Sequence, residues 1–485
     1  MHERAIKSLL EDYDNRRIAI VLGLLSLTYF LFNVDFLMRG DATTYATYML
    51  LGKFDDITLH NGYYFALYAL HHWVASPLGV PIHETLALAN VAFGAVSVTL
   101  VYILFLQIAG DRFIGVLTAV LFALSGRVLM NASSSEIYML QTLCTFGSMV
   151  LYVRGRPFLA GLSAGASLLV SPLSAFAFLF FPVWDATAEG KIRIKPFVFL
   201  VLGGTLVYLP YLIVCWQELL WGRRGLLIVR EAAPPNVKLL LMNSVKYQVK
   251  HYTALWALLL GVPWSGYANR RVVLLSLSVA IPHLYIVAKL TGEDHTFLLN
   301  VDPFIALWLA IGAASLWCVK RWRWLVPACV AVHLIVYVKS GTVFNGNHNA
   351  GYAREIRAIV KQYLAGQQAV MITDWDVAIS ATHFGRDVVR DIPEREPLFS
   401  QMYDLTNTTD PQPTLERRTI YVLDPWSPSP INRLLRSPEA LNELAEEMSI
   451  RSQAERKFGL QCRLLVHGTH DLYKCSQVGD SGDAG

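Results

Sequence analysis

In this chain of 485 residues, 54% are hydrophobic and only 16% are charged, against about 25% charged in a soluble domain. Mean hydropathy is +0.40, so lipid is the expected solvent for most of the chain. The net charge of +4 gives no support to nucleic-acid binding.

The first apolar run, Arg17 to Phe36, follows a charged N-terminus and lacks a small-residue cleavage site, so it reads as a retained membrane helix. Runs long enough to span, or nearly so, lie at 18–34, 84–108, 113–130, 137–153, 195–215, 252–267, 272–290, 297–318 and 324–339. Two stretches are ambiguous. Residues 63–80 carry His71, His72 and Trp73 mid-segment, which suits an interfacial helix better than a span. Residues 158–183 are broken by Ser171-Pro172 and fit either two short broken helices or one kinked helix.

The distribution of basic residues arbitrates. Lys7, Arg16, Arg17, Arg112, Arg154, Arg156, Lys191, Arg193, Lys195, Arg270, Arg271, Lys320, Arg321 and Arg323 all fall on the cytosolic side if 63–80 lies on the surface and 158–183 crosses twice. The rival count, with 63–80 as a span and 158–183 as a single crossing, exports Arg112, Arg154 and Arg156. The preferred fold is mostly α, a polytopic transmembrane bundle of about 11 helices with the N-terminus inside and the C-terminus outside. Residues 1–339 form this transmembrane domain, with outside loops at 35–83, 126–137 and 216–251.

Residues 340–485 hold most of the acids, several prolines and no spanning run, and read as a small extracytoplasmic α/β domain. Ala369 to Thr373 and Thr419 to Leu423 read as short buried strands, and Pro438 to Met448 as a helix. Six cysteines show no metal-ligand spacing, and no metal site is read from them. Cys144, Cys215, Cys318 and Cys329 lie in apolar stretches as core residues. Cys462 and Cys475 are the cysteines of the soluble domain, and a disulfide between them is expected if that domain lies outside.

Two outside loops carry carboxylates. Asp41 follows the first helix in Arg39-Gly40-Asp41, in the loop that continues to His60-Asn61-Gly62-Tyr63-Tyr64. Taken alone it is as well read as a solvated loop residue. Glu136 lies in Asn131-Ala-Ser-Ser-Ser-Glu136-Ile-Tyr138, where Ser133 to Ser135 also read as plain caps of the next helix. The topology places both carboxylates on one face, the arrangement that removes a proton from an acceptor, one as base and one as orienter or donor.

With these residues the chain resembles the GT-C class of membrane glycosyltransferases, close to the protein O-mannosyltransferases and the lipid A aminoarabinose transferases. The resemblance rests on Gly40-Asp41 with His60 and the amphipathic Tyr63–Tyr68 segment, on Ser135-Glu136-Ile137-Tyr138, and on Asp294-His295 through Asp302-Pro303-Phe304. Met371-Ile372-Thr373-Asp374-Trp375-Asp376 in the soluble part resembles one subgroup. The chain departs from the family at His60-Asn61-Gly62, where His-Pro-Pro is frequent, and at His295, where arginine is common. No D-x-D stands in the first outside loop, so a divalent metal is not expected.

The resemblance implies an inverting transfer from a polyprenyl-phosphate sugar to an extracytoplasmic hydroxyl on a protein, lipid or glycan. No cofactor is implied beyond that lipid-linked donor. Asp41 and Glu136 are the expected catalytic carboxylates, with His60, Tyr138 and His295 beside the substrate. The outside segment 216–251 supplies Arg223, Arg224, Arg230, Lys246, Lys250 and His251 for the donor phosphate, and Lys289 either joins them or snorkels outward. The alternative partner for these cations is anionic lipid headgroups. The expected location is a bacterial or archaeal cytoplasmic membrane or the endoplasmic reticulum, with the site extracytoplasmic. Rival readings are a lipid or lipid-linked-sugar transporter, which needs charges near mid-membrane and repeat symmetry, and a non-enzymatic membrane scaffold. His71, His72 and His333 read as interfacial or packed side chains.

Overall fold

Lipid offers no partner for an open backbone, so each apolar run must satisfy its own amides, and a helix does this. The computed structural model describes residues 2–36, 46, 49, 61–214, 248–289, 298–339, 350–364, 369–373, 401–404, 419–424, 439, 449–467 and 471–477. The membrane part comprises α1 (His2–Phe32), α2 (Asn61–Leu70), α3 (Ile82–Ala109), α4 (Arg112–Ala123), α5 (Gly126–Ala132), α6 (Tyr138–Val153), α7 (Pro157–Val170), α8 (Phe180–Ala188), α9 (Ile194–Val214), α10 (Arg270–Lys289), α11 (Asp302–Cys318) and α12 (Leu325–Lys339). Tight 3-10 stretches occupy Pro172–Leu179 and Thr253–Trp264.

Among the described residues, three helical stretches are long and apolar enough to cross a membrane: Tyr13–Phe32, Ile82–Ala109 and Ile194–Tyr211. The pair α4 and α5, bent by 65°, makes up to four. With the composition, these helices make the chain an integral membrane protein. The remaining apolar segments are shorter helices or 3-10 stretches.

Contacts at the helix ends sort the bundle. At one end Arg112 pairs with Asp14 at 3.7 Å, and the Tyr267 hydroxyl donates to Asp111 at 2.6 Å. Tyr152 donates to Asp185 at 2.8 Å, Arg193 donates to the same carboxylate at 2.7 Å, and Arg271 stacks over Trp184 at 4.0 Å. The basic residues expected on one side therefore stand at chain ends that touch one another. At the other end the Asp35 amide, just past α1, donates to the Ser133 carbonyl at 2.5 Å.

Contacts tie both ambiguous stretches to their neighbours. Tyr63 of α2 donates to Ser135 at 3.2 Å, and Asn90 of α3 donates to Ser134 at 2.8 Å, so α2 and the first turns of α3 meet the turn at the end where α1 finishes. α7 leaves the Arg154 end and reaches α2, and the chain then breaks at Ser171-Pro172. It returns through the 3-10 stretch and α8 to Asp185. α7 crosses α9 with backbone against backbone: a Cβ on Gly161 would collide with the Leu200 carbonyl, and one on Gly203 with Phe158 O. Small residues permit this approach in lipid. α7 meets α2 in the same way, a Cβ on Gly62 falling 2.8 Å from the backbone of Leu169 and Val170.

The C-terminal part contains α13 (Ala350–Ile359), β1 (Ala369–Thr373), β2 (Gln401–Asp404), β3 (Thr419–Asp424), α14 (Ile450–Phe458), β4 (Leu460–Val466) and β5 (Asp471–Gln477). The two expected strands are β1 and β3, and the expected helix at 438–448 lies outside the described residues apart from Glu439. The sheet order is β2-β1-β3-β5-β4, parallel at β2-β1-β3 and antiparallel through β5 and β4. One face buries Met371, Tyr421, Leu423 and Leu472 with Ile356 and Ile359 of α13. The other buries Ile372, Ile420 and Val422 with Ile450 and Ala454 of α14. Cys462 and Cys475 face each other across β4 and β5 and form the expected disulfide.

Asp111 caps α4: one carboxylate oxygen accepts from the amides of Phe113 at 2.7 Å and Ile114 at 3.1 Å. Burial pushes this carboxyl up, but the Tyr267 hydroxyl and the two amides outweigh it and hold its pKa below the ordinary carboxylate value. A depressed folded-state pKa makes the contribution fully present above the unfolded pKa of about 3.9 and lost as pH falls through the folded one. Asp111→Ala should therefore cost about 0.5–2 kcal/mol near neutral pH, read from thermal unfolding in detergent. The gap from wild type should close on acidification below the ordinary carboxylate range.

Candidate active site

Four consecutive carbonyls in the turn between α5 and α6 are gripped by three other elements. Ser133 O accepts from the Asp35 amide, and Ser134 O from Asn90 Nδ2. Ser135 O accepts from the Tyr63 hydroxyl, and Glu136 O from Asn90 Nδ2 again. Ser133, Ser134, Ser135 and Asn90 are buried, and Glu136 is half-buried. The serines do not cap the following helix. Ser133 Oγ and Ser134 Oγ bond back to Leu129 O and Met130 O at 2.6 Å each, closing α5. α6 starts at Tyr138 with no side-chain cap.

The C-terminal domain docks at this same end. Glu84, in the first turn of α3, receives Arg354 of α13 at 3.0 Å. Phe36 and Ala87 join the apolar cluster of α13 and the sheet. Glu84, Ala87 and Asn90 fall three residues apart, on one face of α3.

A second polar cluster lies inside the bundle. Arg127 of α5 and Asp302 of α11 form an ion pair in which both side chains are fully buried. Ser125 Oγ reaches the same carboxylate at 3.4 Å, and the Tyr252 hydroxyl donates to Asp302 O at 3.2 Å. The Tyr337 hydroxyl donates to His251 O. His333 bonds Thr253 at 2.7 Å and Leu124 O at 2.9 Å, the packed role expected of it. His71 meets Thr85 at 3.0 Å, and His72 stacks on Tyr68.

Of the expected site residues, Glu136 and the buried Tyr138 stand together in the gripped turn and at the head of α6. Lys250 is exposed, and His251 is buried beside the Arg127 cluster; neither is brought to Glu136 by the contacts above. Asp41, His60, Arg223, Arg224, Arg230, Lys246 and His295 lie outside the described residues, as does the side chain of Lys289. Among the described residues no group of three or more His, Cys, Asp or Glu side chains could hold a metal ion.

Sequence reasoning passed over Asn90, Glu84, Arg127 and Asp302 as working residues. Arg127 is the one charge in the apolar run 113–130, and an intramembrane charge is a signal on its own. Asn90 and Glu84 carry no such mark, because their partners are distant in sequence.

No protein-family model matches the chain, and no curated protein does. Solved structures do resemble it. One is archaeal oligosaccharyltransferase AglB from Archaeoglobus fulgidus in complex with an inhibitory peptide and a dolichol-phosphate, at 12% identity and a TM-score of 0.48 over 81% of this chain and 65% of that one. The chain thus spans less than two thirds of that protein's length. Another is ArnT from Cupriavidus metallidurans bound to undecaprenyl phosphate, at 11% identity and a TM-score of 0.49, covering 95% of this chain and 97% of that one. A third is arabinofuranosyltransferase AftD from Mycobacteria, at 15% identity and a TM-score of 0.46, covering 95% of this chain and 40% of that one. These structural neighbours are GT-C glycosyltransferases.

Removing one member of a buried ion pair strands the other without a counter-charge. Arg127→Leu and Asp302→Leu should each destabilise by about 3–5 kcal/mol, measured as detergent-solubilised thermal stability. The double variant should recover most of that loss, since neither charge then remains unpaired.

Proposed function

We propose that the chain is an inverting glycosyltransferase that moves a sugar from a polyprenyl-phosphate donor to an extracytoplasmic hydroxyl on a protein, lipid or glycan. The observation that carries this reading is the grip on the 133–136 turn. It holds Glu136 at the bundle end where α1 finishes, and Asp41 follows Asp35 by six residues in the sequence. The basic residues of Arg112, Arg193 and Arg271 stand at the opposite end. The same ordering of contacts supports about eleven crossings with the N-terminus inside. The Cys462–Cys475 bridge fits an oxidising compartment for the C-terminal domain.

In the proposed reaction, the acceptor oxygen attacks the anomeric carbon as its proton passes to the Asp41 carboxylate. The bond from that carbon to the phosphate oxygen breaks, and polyprenyl phosphate leaves with the electron pair. Glu136 orients Asp41 or the acceptor hydroxyl. Arg223, Arg224, Arg230 and Lys246 are the cations assigned to the leaving phosphate, with His60, Tyr138 and His295 beside the sugar or acceptor.

A transport reading draws on one observation, the Arg127–Asp302 pair inside the bundle. It requires the doubly neutral variant to lose function, whereas a transferase keeps its activity once the fold is restored.

Asp41→Asn should lower transfer about 10²–10⁴-fold while the protein still inserts and folds, and Glu136→Gln should fall less if Glu136 only orients. The measurement is transfer in membranes from a polyprenyl-phosphate sugar to extracted acceptor, at matched protein amounts. Near-normal turnover by Asp41→Asn removes the proposed base. Cysteines placed at 136 and 155 should label from opposite sides, and outside labelling at 155 would overturn the topology.

A further inference from the structure

We infer that Asn90 is a positioning residue that sets the Glu136 carboxylate, an assignment that rests on the catalytic reading of Glu136. Glu136 sits between the end of α5 at Ala132 and the start of α6 at Tyr138, where helical hydrogen bonding does not fix the backbone. Its position is instead fixed through carbonyls. Asn90 Nδ2 spends both of its protons there, one on Ser134 O and one on the carbonyl of Glu136 itself. Tyr63 and Asp35 hold the two remaining carbonyls from α2 and from the exit of α1.

The amide is oriented without ambiguity, because turning it over would set its oxygen against two carbonyl oxygens. In the orientation adopted, Asn90 is fully buried and its Oδ1 has no partner among the described residues. A position serving packing alone would shed that unsatisfied acceptor by becoming an apolar residue such as leucine, which branches at the same carbon. The two donated protons are what asparagine provides and leucine lacks. Asn90 also lies two turns along α3 from Glu84, which grips Arg354, and one turn from Ala87, which packs against α13 and the sheet. The face of α3 that receives the C-terminal domain is therefore the face that places Glu136.

The test uses the full chain in native membranes. Glu136→Cys is labelled with a charged methanethiosulfonate reagent in the wild-type, Asn90→Leu and Tyr63→Phe backgrounds, with a cysteine at 155 as control. The labelling rate at 136 should change several-fold in Asn90→Leu and less in Tyr63→Phe, with 155 unaltered. An unchanged rate at 136 in both backgrounds overturns the assignment. Tyr63→Phe removes a single hydroxyl and keeps the test open if Asn90→Leu fails to fold. In chains that retain Glu136, Asn90→Leu should lower kcat about 10²-fold, leave KM for an undecaprenyl-phosphate sugar unchanged, and displace the acid limb of the pH–rate profile. Loss of folded protein with normal kcat and pH profile per folded molecule marks a structural role and also overturns it. If Glu136→Gln is fully active, the catalytic reading fails by itself, and the labelling arm still decides whether Asn90 places residue 136.

Discussion

The bundle depends on how one broken span is repaired. Between α4 and α5 the chain bends by 65°, and a helix broken inside lipid frees polar groups that have no water to turn to. Several find protein partners. Leu124 O accepts from His333, Ser125 Oγ reaches Asp302, and Arg127 pairs with the same carboxylate. Asp302 opens α11 and His333 lies in α12, so the repair joins helical segments distant in sequence. The direction of α5 follows from it, and α5 delivers the chain to Ser133, where the gripped turn begins. The repaired bend therefore leads directly into the segment that carries Glu136.

α3 organises the other side of that turn. Residues at a three-residue spacing on its first turns meet in order the C-terminal domain's arginine, its apolar cluster and the carbonyls of the turn. No one of these contacts is large. Arg354 is 67% exposed, so its pairing with Glu84 is screened by water and adds little energy; its use is to fix where the domain sits. The apolar contact of Phe36 and Ala87 with α13 and the sheet supplies the burial.

Much of this was legible in the sequence wherever one physical rule dominated. Most apolar runs became helices close to their expected limits, while 113–130 bent into two short helices and 252–267 formed a 3-10 stretch. The expected break at Ser171-Pro172 is where α7 ends and the 3-10 stretch begins, because proline cannot continue the helical hydrogen bonding. Ala369–Thr373 and Thr419–Asp424 emerged as strands from short buried runs of β-branched and aromatic residues. The bridge followed from two cysteines alone in a polar domain. What stayed hidden was pairing across distance. Asn90 in an apolar helix, and Asp302 at the head of another, carry no local sign of their partners. The serines misled for a related reason. Their type fits a helix start, but a hydroxyl that reaches back one turn serves a helix end equally well, and the bend before α5 left that end in need of closure.

The glycine contacts of α7 have a mechanical sense. Side chains packed between helices are soft: they change rotamer and absorb displacement. Backbone pressed on backbone does not. At Gly161 and Gly203 α9 bears directly on α7, and at Gly62 α7 bears directly on α2. Leu202, Leu206 and Ile213 of α9 are all more than half exposed, facing the surrounding lipid. A lateral push from the membrane on that helix thus meets two stiff joints in series before it reaches α2, the helix that carries the Tyr63 hydroxyl. The strut between the lipid-facing helix and the gripped turn is made of backbone set against backbone.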